Sequence, residues 1–162
     1  MGAMRAILRV ALVLALAGSA CSPTIDLKST LQVQDVSTGW ADLGLVNGQN
    51  KIVPSITFTL KNSGSQSIGT LQANVIFRRK GEDDEWGAGF LRIAGSEGLA
   101  GGASTKSLTV NSTLGYTSTE TRAQMLANKA FIDARAQVFA KYGSTQWTLL
   151  GEFPVERQLI AK

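Results

Sequence analysis

The sequence predicts an all-β sandwich of about seven strands with one short crossover helix, and three observations carry that expectation. Apolar and polar residues alternate with a period of two through most of the chain. Turn-forming residues fall between the alternating runs at near-regular intervals. Only one stretch joins a helix-start signal to apolar residues on a single helical face.

Leu31 and Val33 alternate with Gln32 and Gln34 and open the first strand. Ile56, Phe58 and Leu60 alternate with Ser55, Thr57, Thr59 and Lys61, the pattern of a sheet packed on one face and wet on the other. Leu71, Ala73, Val75 and Phe77 repeat it, which places Phe58 and Phe77 in the core on neighbouring strands. Leu91 with Ile93, and Leu108 with Val110, give two shorter strands. Ile132, Ala134, Ala136, Val138 and Ala140 face one way, with Asp133, Arg135, Gln137 and Lys141 opposite. Trp147, Leu149 and Gly151 complete the set, Trp147 being read as core.

Asn47-Gly48 suits a type I′ hairpin turn, because both central positions need positive φ. Asn62 to Ser65, Gly81 to Gly87, Gly95 to Gly102 and Tyr142 to Ser144 mark the other turns. Thr117 with Glu120 forms a capping box, after which Ala123, Leu126, Ala127 and Ala130 fall on one helix face. Strands of this number and spacing in about 125 residues suit an immunoglobulin- or fibronectin-like sandwich.

Targeting is written at the N-terminus. Arg5 and Arg9 precede a wholly apolar run from Val10 to Ala17, followed by Gly18-Ser19-Ala20, so residues 1–20 read as a secretory signal peptide. The run is shorter than the roughly 20 residues that cross a bilayer. Cys21, the sole cysteine, follows directly. Leu16 to Cys21 resembles a bacterial lipobox, with Gly18 where a Leu is more usual. The resemblance implies a diacylglycerol on the Cys21 thiol, a Gram-negative envelope facing the periplasm and, with Ser22 following, the outer membrane. Ordinary cleavage at the same bond is the other reading, since Gly18 and Ala20 also satisfy a small-x-small site. Residues 21–30 then form a lipidated tether, and residues 31–162 the folded domain.

From Ile56 to Gly64, through Ile68 and Leu71 to Phe77, the chain resembles the FxLYD-type bacterial extracytoplasmic domains. The likeness continues at Leu99 to Ser104 and Leu108 to Val110, covering residues 52–112. Arg78-Arg79 stand where the eponymous Tyr-Asp would be. The resemblance implies a binding or structural module and no reaction.

Composition narrows the chemistry. The chain has no His, which removes Ser-His-Asp and Cys-His nucleophile pairs and histidine metal sites. Carboxylate chemistry remains open. Without Arg5 and Arg9, 14 Lys and Arg stand against 12 Asp and Glu, and apart from Arg78-Arg79-Lys80 the bases are scattered, so nucleic acid is not an expected partner.

Glu82-Asp83-Asp84-Glu85 could offer oxygen ligands to Ca²⁺, but EF-hand spacing is missing and a solvated hairpin tip explains it better. A glycosidase pair needs two acids about 5 to 10 Å apart across a cleft, which neighbouring loop acids seldom supply. Gly95 to Gly102 lacks the Lys-Ser/Thr of a P-loop and leads into a strand, and Ser104-Thr105-Lys106 has the wrong spacing for a Ser-x-x-Lys nucleophile. No catalytic residue, metal or cofactor is expected. Trp40, Trp86, Trp147, Tyr116 and Tyr142 remain; each suits core or satellite packing, and an aromatic in a charged loop also suits a protein contact. Arg78, Arg79, Trp86 and Trp40 are therefore the candidate partner-binding residues. The reading is a non-catalytic envelope lipoprotein acting as a binding or accessory subunit. A carbohydrate-binding module, which needs coplanar exposed aromatics, is the alternative, and a carboxylate hydrolase the rival from another class.

Overall fold

In the computed structural model residues 24–160 are described. The signal peptide and Cys21 lie outside the described residues. The strands are β1 (Leu31–Val46), β2 (Gln49–Asn62), β3 (Leu71–Arg79), β4 (Gly87–Arg92), β5 (Leu108–Asn111), β6 (Tyr116–Ser118), β7 (Ala134–Tyr142) and β8 (Thr148–Pro154). Helix α1 (Leu27–Thr30) precedes β1, and α2 (Arg122–Ala127) links β6 to β7. One sheet runs β1-β2-β5, with β6 also on β2; the other runs β4-β3-β7-β8, and the pairings within both are antiparallel. Facing sheets in this order make an all-β sandwich with the strand arrangement of an immunoglobulin-like domain.

The longest hairpin forms where the turn chemistry placed it. Asn47 and Gly48 have φ of 51° and 76°, and Val46 pairs with Gln49 across them. β1 stays paired over its whole length by absorbing irregularities at Gln34/Ser37 and Asp42/Leu45. At the first, Asp35 turns to positive φ and its carboxylate accepts the Thr59 hydroxyl at 2.8 Å. Pro54 sits inside β2 at no cost to the ladder. Its partner Trp40 bonds outward to Gln158 and Ile160, so the missing N–H would point into the gap between β5 and β6, and the Pro54 carbonyl accepts from Ser112.

The core lies between the sheets. Ile52, Ile56, Phe58 and Leu60 project from β2 against Leu71, Val75 and Phe77 of β3 and Ala136, Val138 and Ala140 of β7, all fully buried. Phe58 and Phe77 are both core, but β2 and β3 belong to opposite sheets, so they are not on neighbouring strands. Alternation reports a residue's face and says nothing of which strand lies alongside. On one side the sheets close tightly: a Cβ added to Gly89 of β4 would come within 2.3 Å of Val110 Cγ1 in β5. Asn62 is buried at the end of β2 with its amide satisfied, donating to Gln66 and Leu99 carbonyls at 2.7 and 2.9 Å and accepting from Gly64 N–H.

Several local expectations are refined or corrected. The described residues form eight strands and two short helices, in keeping with an expected sandwich of about seven strands with a crossover helix. The capping box is Thr121 with Gln124, four residues beyond Thr117, which instead pairs with Lys51 in β6. Met125 and Leu126 form the buried face of α2, and Ala123, Ala127 and Ala130 are exposed. Ile132 precedes β7 and is exposed, its carbonyl accepting the Tyr116 hydroxyl. In β8 an extra residue at Leu150 breaks the register between Val138 and Phe139, which turns Leu149 outward and leaves Trp147 39 % exposed. Residues 24–30 also pack on the domain and do not trail from it: Leu27 is buried, Asp26 caps α1, and Ile25 N–H donates to the Tyr142 hydroxyl at 2.8 Å.

Candidate functional site

The end of the sandwich opposite Ile25 gathers most of the residues singled out in the sequence. It is built from the end of β3, the loop 81–86, the start of β7 and the end of β8. Trp40, Trp86, Tyr116 and Phe131 form one aromatic cluster there, with Trp40 edge-on to Phe131 at 4.6 Å between centroids and Trp86 4.9 Å from Tyr116. Trp40 is fully buried, its indole N–H meeting no acceptor among the described residues, so it has no surface to offer a partner. Trp86 is half-buried against the core. Burial pushes the Tyr116 phenol above its ordinary value, opposed in part by the nearby Arg79 guanidinium.

Two of the four loop acids, Glu82 and Asp83, and the flanking arginines are spent on the fold. Arg79 pairs with Glu82 at 2.8 Å, its guanidinium carbon 5.8 Å from the Trp86 ring centroid. Arg78 donates to Gln137 Oε1 at 2.9 Å and to the Asp83 carbonyl. Arg135 donates to the Glu82 carbonyl at 3.0 Å and the Asp83 carboxylate at 3.2 Å. The juxtaposition of Arg78, Arg79 and Trp86 is thus real, but their contacts pin the loop to β3 and β7. Among the described residues no group of three or more His, Cys, Asp or Glu converges as metal ligands.

Beside the loop a cleft of about 460 Å³ opens, lined by the polar side chains of Lys80, Asp133, Arg135, Glu152, Glu156 and Arg157 over a floor of Ala134, Pro154 and Val155. Asp133 is paired with Arg157, and Glu152 accepts Gln137 at 2.6 Å with Arg135 3.7 Å away. Arg157 also donates to the Phe131 carbonyl at 2.9 Å and covers the Phe131 ring. Lys80 and Glu156 are the lining charges whose side chains make no ion pair among the described residues. The cleft can therefore meet a partner carrying both signs of charge. Its residues come from three separated segments, and their spacing in the chain gives no warning that they converge.

A second surface lies on the outer face of the β4-β3-β7-β8 sheet. Phe90 is 59 % exposed, and it meets Trp147 at 6.4 Å between centroids with the rings at 88°. In register with Phe90 the row runs through Asn74 to Phe139 and Leu149, and Lys141 Nζ stands 5.0 Å over the Trp147 ring. Phe90 was legible by parity: if Leu91 and Ile93 face in, Phe90 and Arg92 face out. Nothing in the sequence announced that Trp147 would reach it.

These features define an immunoglobulin-like all-β domain with a charged cleft at one end and an aromatic patch on one sheet. No family model matches the chain, and no curated protein matches it. Among solved structures it is similar to the solution structure of AT1g01470 from Arabidopsis thaliana, with 20% identity, a TM-score of 0.46, and coverage of 88% of this chain and 90% of that one.

Proposed function

We propose that the chain is a non-catalytic lipoprotein of a bacterial envelope, anchored through Cys21 and facing the periplasm, which serves as a binding or accessory subunit for an envelope protein. The observation that carries this reading is the polarity of the domain. The chain enters at the Tyr142 end, held by Ile25, and the mixed-charge cleft lies at the opposite end, pointing away from an anchor at Cys21. The Ser22 that follows Cys21 favours the outer membrane. The carbohydrate reading loses ground because the exposed aromatic pair is perpendicular, where a sugar platform wants coplanar rings. The hydrolase reading has against it that Asp133 and Glu152 are each engaged by an arginine.

The test is made in a Gram-negative host. Wild type should take up labelled palmitate and fractionate with membranes, and Cys21→Ala should do neither. Lys80→Glu and Glu156→Lys should keep the label and the melting temperature, since neither side chain is ion-paired in the fold, yet lose a partner that crosslinks to wild type. A wild type that is soluble and unlabelled refutes the anchor, and a crosslinked partner indifferent to both charge reversals refutes the cleft.

A further inference from the structure

The aromatic patch and the start of the domain share one end of the molecule, and that coincidence points to an occupant for the patch. Ile25 is bonded to the Tyr142 hydroxyl, and only three residue steps separate Cys21 from Thr24, a reach of at most about 11 Å. A membrane holding Cys21 must therefore lie against the Tyr142 end. Trp147 follows Tyr142 across a turn closed by Thr145 N–H to Tyr142 O at 3.0 Å. Phe90 lies in the row of Asn74 and Phe139, three residues along β7 from Tyr142, or about 10 Å.

The chemistry of this end suits lipid headgroups. The exposed Phe90 and Trp147 rings meet here with Leu149 exposed two residues on from Trp147, Lys141 stands over the indole, and Arg92 lies in the row of Lys141, two strands away across Gln72. Tryptophan with a flanking Lys or Arg is the combination enriched at membrane interfaces, where the ring sits at headgroup level and the cation reaches phosphate. The charge is distributed accordingly. Lys28, Lys61, Arg92, Lys106 and Lys141 occupy this end against Asp26, Asp35 and Glu97, whereas the rest of the described domain carries eight bases against nine acids. Asp35 is already held by the Thr59 hydroxyl.

We infer that the Phe90–Trp147 patch of the β4-β3-β7-β8 sheet docks on the anionic phospholipid surface of the membrane that holds Cys21. Docking fixes the tilt of the domain, so that the lipid anchor, the aromatic patch and the basic end together turn the cleft toward the periplasm. The inference rests on the anchored reading proposed above.

The experiment uses the full lipidated chain added to vesicles of phosphatidylethanolamine and phosphatidylglycerol that carry a nitroxide at headgroup depth. Tryptophan emission should be quenched in wild type, and Trp147→Phe, which alters an exposed ring and should keep the melting temperature, should lose most of the quenching. The remaining Trp40 and Trp86 lie in the aromatic cluster at the other end. Lys141→Glu with Arg92→Glu should also weaken the quenching, and by less as salt is raised and screens the charges. A chain that carries label on Cys21 but shows no quenching, or one in which Trp147→Phe is quenched as strongly as wild type, overturns the docking and leaves the anchor standing. A chain that takes no label overturns the anchor, and the docking with it.

Discussion

The Ile25 backbone N–H donates to the Tyr142 hydroxyl at 2.8 Å across 117 residues of sequence, tying the first described residues to the turn between β7 and β8. Tyr142→Phe removes only that acceptor. It should lower stability by about 1 kcal/mol and raise amide exchange at Ile25 well above that at Leu71 in the adjacent strand. Unchanged protection at Ile25 would show that Leu27 alone holds the segment down.

Phe58 and Phe77 enter the core from different sheets and are both fully buried. Phe58→Ala and Phe77→Ala should each cost about 3 to 5 kcal/mol, a large part of a domain's net stability. Denaturant midpoints measure this. A small loss at either site would mean that its ring does not fill the space between the sheets.

The approach of β4 to β5 depends on hydrogen at Gly89, where a Cβ would meet Val110 Cγ1 at 2.3 Å. Gly89→Val should overpack the closure and cost about 1 to 3 kcal/mol. Shortening the neighbour in Gly89→Ala with Val110→Ala should recover part of that loss relative to Gly89→Ala alone, which a double-mutant cycle reads as coupling.

Tyr116 supplies a pH dependence with a definite sign. Burial raises its folded pKa above the ordinary value of about 10, so the unfolded chain ionises first. Its contribution is fully present below about pH 10 and is lost as pH rises through the folded value. Melting temperatures of wild type and Tyr116→Phe should therefore diverge in slope above that pH, with the variant flatter. Phenolate absorbance should show one tyrosine titrating late.

How far the sequence reached can be seen strand by strand. The inward faces of β2, β3 and most of β7 follow from alternation, because a strand's period of two is fixed by its own backbone, and Asn47-Gly48 announces its turn because φ is positive at both residues. Which sheet each strand joins was not written there, so Phe58 and Phe77 read as neighbours when they belong to different sheets. Trp40 and Trp147 exchanged roles for the same reason. Trp40 is buried by Phe131 and Tyr116 from distant segments, while one extra residue at Leu150 turned Trp147 out to meet Phe90. The cleft likewise exists only because Lys80, Asp133 and Glu156 end three strands or loops at one place. Face and turn are local properties of the chain. Burial, pairing and convergence depend on what packs against a residue across long stretches of sequence, and the tertiary structure alone decides that.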